Sequence, residues 1–211
     1  MGNFLSQWDN AGEQSSRIGI RFHHSPTLKH RLSEAIYRLK VQQNKLESTA
    51  VRMHQHDRGI FAKCVAAQMA HDTARAAMYA NECAEVRKIA KVTLQSQMAL
   101  EQVALRLETI EEFGDVARMM GPVTSVVRSV KNQISGIVPE VGFELTEVGE
   151  LLNNFVAEAG EPIAGSYDVS ASNEAAQKIL SEANAVAEQH LKEKFPELPD
   201  SPSRVGESLS R

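Results

Sequence analysis

The sequence predicts an all-α protein, in which a long antiparallel helical hairpin is followed by shorter C-terminal helices and a flexible tail. Aromatic residues make up only 5% of the chain and charged residues 24%, so few bulky side chains are available to fill a thick globular core. In two long segments, apolar residues instead recur at steps of three and four, the spacing of one helix face. Both observations favour long helices that pack along narrow apolar seams.

The first helix of the predicted hairpin follows a lead-in of residues 1–26 and runs to about Met53, because Pro26 and Thr27 are typical of a helix start. Its apolar seam consists of Leu28, Leu32, Ala35, Leu39, Leu46 and Met53. Residues 54–59 are polar and end in a glycine, which predicts the turn of the hairpin there.

The second predicted helix extends from about Ile60 to Glu112, a length of about 80 Å at 1.5 Å per residue. Its seam follows a seven-residue repeat and consists of Val86, Ile89, Thr93, Ser96, Leu100, Val103, Leu107 and Ile110. Such a heptad pattern is typical of a coiled coil. Because the two helices carry more apolar edge than one hairpin can bury, we expect the chain to assemble with copies of itself.

Glycine and proline divide the rest of the chain into shorter units. The expected order is a joint at 113–115, a break at Gly121–Pro122, a helix end at 135–139, a helix over about 140–159, a linker over 160–172 and an amphipathic helix over about 173–194. The buried face of this last helix is predicted to contain Ala176, Ile179, Ala183, Val186 and Leu191. Residues 195–211 include three prolines, which predicts a flexible tail.

Charge is distributed unevenly along the chain. Residues 1–70 contain 10 Lys and Arg against 5 Asp and Glu, whereas residues 111–211 contain 8 against 17. A basic stripe of Arg31, Arg38, Lys45 and Arg52 recurs every seven residues, so on a helix it occupies a sector of roughly 60° beside the apolar seam. The stripe fits an anionic membrane or nucleic acid. Pairing with carboxylates of a neighbouring helix is the alternative that the charges leave open.

The N-terminus favours a membrane as the anionic partner. Phe4, Leu5 and Trp8 lie at helical spacing, and tryptophan suits the lipid–water interface; ordinary burial of these side chains remains open. Residues 1–6 also fit a short acylation pattern. No stretch approaches 18 consecutive apolar residues and no signal peptide is recognisable, so the expected contact is peripheral. Cys64 and Cys83, expected on one helix and too far apart to bridge, fit a reducing cytoplasm.

Sequence motifs of nucleotide-binding and hydrolytic sites are missing from the chain. His54, His56, Cys64 and His71 are residue types that bind zinc, but their spacing matches no paired-ligand pattern. We therefore expect no enzymatic activity and no cofactor, metal or small-molecule substrate.

Residues 67–110 carry a specific resemblance. The most specific pieces are residues 75–82 (RAAMYANE) with Glu85 and Arg87–Lys88, and residues 99–103 (ALEQV) with 106–109 (RLET). In these pieces the chain resembles the archaeal ESCRT-III proteins, the cell division protein B (CdvB) group. The resemblance covers roughly residues 26–159 and implies that 27–159 form the ESCRT-III core.

The resemblance implies a protein that polymerises with itself and with ESCRT-III paralogues on anionic membranes. It further implies a switch between a closed form, held by acidic C-terminal helices, and an open form, and remodelling by an AAA ATPase that carries an MIT domain. Phe195, Pro196, Leu198 and Pro199 are similar to the proline-containing segment that docks on this MIT domain. Phenylalanine replaces the more usual leucine or isoleucine at the first position, and a plain linker is the alternative reading.

The chain has no room after Pro202 for the winged-helix element of some archaeal members, which predicts a paralogue that joins filaments started by others. The function expected from the sequence is membrane constriction and scission in cell division, by a cytoplasmic protein bound peripherally at the division site. A membrane-maintenance scaffold of the phage-shock-protein A type and a DNA-binding coiled-coil protein are the alternatives.

Overall fold

The computed structural model describes residues 28–113, 116–158 and 169–198, and within these ranges it contains five helices and no strand. The helices are α1 (Leu28–Met69), α2 (Thr73–Phe113), α3 (Val116–Ile134), α4 (Pro139–Glu158) and α5 (Val169–Lys194). The predicted all-α fold is confirmed. None of the described helices combines the length and apolarity needed to cross a bilayer.

The hairpin turns at residues 70–72, so the prediction of a turn at 54–59 is wrong. The amide of Asp72 donates to the carbonyl of Ala67, and the amide of His71 to that of Gln68, both at 2.9 Å. These are the two hydrogen bonds of a Schellman motif, in which His71 takes the left-handed position with φ of 59°. The carboxylate of Asp72 then accepts a hydrogen bond from the amide of Arg75 at 3.1 Å and caps α2.

Gly59, which suggested the wrong turn, lies inside α1, where a single glycine costs about 1 kcal/mol relative to alanine. The two helices of the hairpin are therefore nearly equal, with 42 and 41 residues, or about 60 Å each. Cys64 and Cys83 lie on opposite helices rather than on one, and both are buried and unbridged.

The main core fills the open end of the hairpin. Its fully buried members include Leu32, Leu39 and Leu46 of α1 and Leu100, Val103, Leu107 and Ile110 of α2. Helix α4 packs on α1, α3 packs on α2 and α4, and α5 packs on α2 and α3. Each fully buried leucine or isoleucine stabilises the fold by about 1.5–3 kcal/mol relative to an exposed one, so this end of the hairpin is firmly held.

Helix α3 continues through Gly121–Pro122, where the sequence predicted a break. Proline in a helix interior costs about 3 kcal/mol. The residues that follow bury one continuous face, consisting of Val123, Val126, Val127, Val130 and Ile134, and this burial outweighs the cost. The predicted helix end at 135–139 is confirmed, because α3 ends at Ile134 and α4 begins at Pro139. The predicted joint at 113–115 includes residues 114 and 115, which lie outside the described residues.

Helix α5 begins at Val169, inside the predicted linker of residues 160–172. Its buried residues are Ala176, Ile179, Ala183 and Ala187. Val186, predicted on this face, is 39% exposed, and Ala187 takes its place because it lies four residues after Ala183, on the same side of the helix. Residues 159–168 and the tail beyond Leu198 lie outside the described residues.

Candidate functional site

The four residues of the basic stripe lie along α1 in two different environments. Arg31 donates from Nη1 to Oε1 of Glu158 in α4 at 2.6 Å, and its side chain is only 19% exposed. Arg38 forms an ion pair at 2.8 Å with Glu34, one turn earlier. Lys45 and Arg52 are exposed. Pairing with carboxylates of a neighbouring helix, the alternative that the charges left open, therefore holds for Arg31, whereas Arg38 pairs within its own helix.

The predicted apolar seam of the second helix is buried over most of its length and partly exposed at its N-terminal end. Thr93 and the seam residues that follow it are buried, but Val86 is half-buried and Ile89 is 39% exposed. These two residues line an apolar groove of about 360 Å³ together with Thr49, Arg52, Met53 and His56. The apolar N-terminal residues Phe4, Leu5 and Trp8 lie outside the part of the chain that the structure describes.

The predicted docking segment, residues 195–199, begins against the hairpin. The amide of Phe195 donates to the carbonyl of Leu191 at 2.9 Å, and Pro196 then ends the helical bonding because it has no amide hydrogen. Phe195 is only 6% exposed. Pro196 is exposed and Leu198 is half-buried, while Pro199 lies outside the described residues. The aromatic side chain of the segment is thus turned inward.

Four residues form what we call the cradle: His54 and Arg87, which contact the Phe195 ring, and Asp57 and Phe61, which contact Arg87. The His54 and Phe195 rings meet edge to face with centroids 5.1 Å apart. The guanidinium carbon of Arg87 lies 5.6 Å from the Phe195 ring centroid and 5.9 Å from that of Phe61, within the range of cation–π attraction. Arg87 also donates from Nη1 to the carbonyl oxygen of Pro196 at 2.6 Å.

Arg87 is held in place by Asp57 on the opposite helix. Nε and Nη2 of Arg87 donate to the two carboxylate oxygens of Asp57 at 2.8 and 3.0 Å, a bidentate geometry that fixes the guanidinium plane. The Asp57 side chain is fully buried and that of Arg87 is 13% exposed. This ion pair thus joins the two helices of the hairpin and presents Arg87 to the end of α5.

Cys83 lies beside this ion pair. Its thiol is within 4.0 Å of the backbone carbonyl of Asp57. Burial, followed by the negative charge of Asp57, raises the pKa of the Cys83 thiol to about 11. The thiolate is the reactive form of cysteine, so Cys83 is inert in the folded chain at neutral pH.

The C-terminal half of α5 meets the hairpin through small side chains. Ala187 packs with Ala50 and Leu94, and Leu191 lies against this cluster. Lys91 of α2 pairs with Glu188 at 2.7 Å. Hydrogen bonds from Lys91 and then Asn184 hold the pKa of Glu188 below its usual value. Because alanine buries little apolar area, this contact is weaker than the main core.

The zinc-binding residue types noted in the sequence occupy separate places. His54 belongs to the cradle and His56 to the apolar groove. Cys64 lies 3.4 Å from the carbonyl of Ala76, and His71 forms the hairpin turn. Within the described ranges there is no group of three or more His, Cys, Asp and Glu that could hold a metal ion.

Sequence reasoning did not find the cradle. Its signal is present, however, since Asp57 lies at helical spacing from Ile60 and Cys64, both of which are buried. A carboxylate on a buried helix face requires a charged partner, and Arg87 is the arginine that lies opposite to it in the hairpin. The wrong turn position hid this pairing, because it placed Asp57 in the loop.

The fold and these surfaces define a helical hairpin protein whose C-terminal helix folds back on the hairpin. Among curated proteins, the chain is 47% identical over 173 residues to Cell division protein B1 of Sulfolobus acidocaldarius, a match that covers 82% of this chain and 80% of the relative. It is 31% identical over 199 residues to Cell division protein B of the same organism, with coverages of 92% and 76%.

The chain therefore belongs to the cell division protein B family, and the family assignment made from residues 75–109 is confirmed. No protein-family model matches the chain, and no solved structure matches it.

Proposed function

We propose that this chain is a subunit of a membrane-remodelling polymer in archaeal cell division. It polymerises with itself and with paralogues on anionic membranes, acts in constriction and scission, and is taken apart by an AAA ATPase through an MIT domain. The two relatives described above are named as cell division proteins, and neither name denotes an enzyme. The proposed role is accordingly mechanical, on the cytoplasmic face of the membrane at the division site.

The observation that carries this proposal is the packing of α5 on the hairpin. The C-terminal half of α5 covers Ala50 and Leu94 through Ala187, with the ion pair between Lys91 and Glu188 beside it. A contact built from two alanines, two leucines and a half-exposed ion pair buries far less apolar surface than the main core and is weak enough to open. Opening uncovers an apolar strip on both long helices, which is the surface a polymer needs.

The basic stripe supports the membrane part of the proposal. Lys45 and Arg52 are exposed in the closed chain, and each basic residue near an anionic bilayer contributes about 1 kcal/mol. Two such residues give weak binding, which a polymer multiplies because many subunits bind at once. The N-terminal apolar residues Phe4, Leu5 and Trp8 would add to this contact.

The test releases α5 by one substitution. Ala187→Asp places a charge in a fully buried position, and Val186→Asp places the same charge on the exposed neighbour as a matched control. We expect electron microscopy to show that Ala187→Asp forms filaments in the presence of anionic liposomes. The parent and the control should stay dispersed at the same concentrations. Dispersed Ala187→Asp protein with exposed α5 would contradict the proposal. Retention on duplex DNA without liposome binding would favour the DNA-binding alternative.

A further inference from the structure

The cradle combines three attractions on one short stretch of chain. The guanidinium of Arg87 lies over the Phe195 ring, and the His54 and Phe195 rings pack edge to face. The carbonyl of Pro196 accepts a hydrogen bond from the same guanidinium. Cation–π and charge-assisted bonds are stronger where water is excluded, and Phe195 is 6% exposed. The hairpin therefore holds the Phe-Pro dipeptide as a binding site holds a ligand.

We propose that the cradle is a peptide-binding site of the hairpin that competes with the MIT domain for the docking segment. The inference rests on the proposed function, in which Phe195 and Leu198 enter a groove of that domain. One aromatic ring cannot fill two sites, so the segment binds the ATPase only in the fraction of molecules in which it has left Arg87. The cradle thus makes ATPase docking depend on the opening of the chain.

The site is built for release rather than for permanent closure. His54 lies beside Phe195, and among the described residues its buried Nδ1 has no hydrogen-bond partner. An unpaired buried polar atom costs free energy, and this cost offsets part of the attraction between the His54 and Phe195 rings in the closed chain. The preceding helix is held at Ala187 by the weak contact described above. A partner that captures the segment therefore shifts the chain towards its open form.

The experiment compares the affinities of four samples for the purified MIT domain of the cognate ATPase. They are a peptide of residues 192–203, the full chain, the full chain with Asp57→Leu and Arg87→Leu, and a matched control with Glu85→Gln and Lys88→Gln. The control removes an exposed ion pair from the same stretch of α2. Replacing both members of a buried pair by apolar residues keeps a fold stable, and His54→Ala, which leaves the ion pair intact, serves as a second cradle variant.

We expect the full chain and the matched control to bind about tenfold or more weakly than the peptide, because apparent affinity falls with the fraction of competent molecules. The Leu–Leu variant should bind within about twofold of the peptide, and His54→Ala should lie between. Hydrogen exchange at the Phe195 amide gives a readout without the MIT domain. It should be about tenfold faster in the Leu–Leu variant than in the control.

The outcomes distinguish failure of the cradle from failure of docking on the MIT domain. Equal affinities of peptide, full chain and variants, with unchanged exchange at Phe195, would overturn the cradle while leaving docking intact. A peptide that does not bind, or that binds equally after Phe195→Asp and Leu198→Asp, would overturn docking itself and with it the competition.

Discussion

Arg87 of α2 donates two hydrogen bonds, at 2.8 and 3.0 Å, to the carboxylate of Asp57 of α1, which lies thirty residues earlier in the sequence. The carboxylate is fully buried, so its charge has lost its water and depends on the guanidinium. This pair fixes the register of α1 against α2 at the level where α5 ends. It also holds the guanidinium of Arg87 against the ring of Phe195.

The first prediction is that Arg87→Ala lowers the free energy of unfolding by about 3–5 kcal/mol, because it leaves the Asp57 carboxylate buried without a partner. For a chain of this size the corresponding fall in Tm is about 10 °C, measured by circular dichroism. The double variant Asp57→Leu with Arg87→Leu should lie within about 1.5 kcal/mol of the parent. Equal losses in both variants would show that the pair, rather than the stranded charge, supplies the stability.

Two glycines of α4 give a matched pair of substitutions. A Cβ on Gly142 would clash with Oγ of Ser135 and stand 3.0 Å from its Cα, whereas the space at Gly149 is free of described atoms within 4 Å. We expect Gly142→Ala to destabilise the chain by about 1–3 kcal/mol. Gly149→Ala should stabilise it by up to about 1 kcal/mol, since alanine favours the helix. Urea unfolding measures both, and a stabilising Gly142→Ala would mean that the α3–α4 turn relaxes.

The sequence predicted the fold class and most helix ends because these depend on local patterns. Steps of three and four defined the helix faces, and Pro139 marked a true helix start. The hairpin turn was missed because its left-handed position is occupied by His71 instead of glycine. The sequence contains a more conspicuous glycine at position 59, but a helix held by tertiary packing tolerates it.

The candidate site was predictable only in part, because it depends on which residues meet across the hairpin. The stripe on α1 followed from a seven-residue repeat, yet the partner of Arg31 is Glu158, which is 127 residues away. No local pattern contains that pairing. The prolines and the resemblance predicted a docking segment at residues 195–199, but the burial of Phe195 against Arg87 required knowledge of where α5 ends.

The third prediction concerns pH and Cys83. Its pKa is about 11 in the folded chain against 9.0 for a free thiol, so the unfolded chain loses this proton first as the pH rises. The contribution of Cys83 to stability is full below pH 9 and is lost between about pH 9 and 11. Unfolding free energy should therefore fall more steeply over this window in the parent than in Cys83→Ala. Parallel curves for the two proteins would contradict the raised pKa.

The last prediction separates the two halves of the basic stripe. Lys45→Glu with Arg52→Glu reverses the exposed half, whereas Arg31 and Arg38 are already paired with Glu158 and Glu34. At about 1 kcal/mol for each basic residue near an anionic surface, the exposed pair should account for at least about 2 kcal/mol, or a thirtyfold loss of affinity in liposome flotation.

Arg75→Glu with Lys88→Glu is the matched control, because it changes the charge equally at two exposed residues nearer the hairpin turn. A similar loss in both double variants would mean that net charge, and not the stripe, attracts the membrane. Raising the salt concentration should weaken the parent far more than the Lys45 and Arg52 variant, since exposed charges are screened over about 8–10 Å.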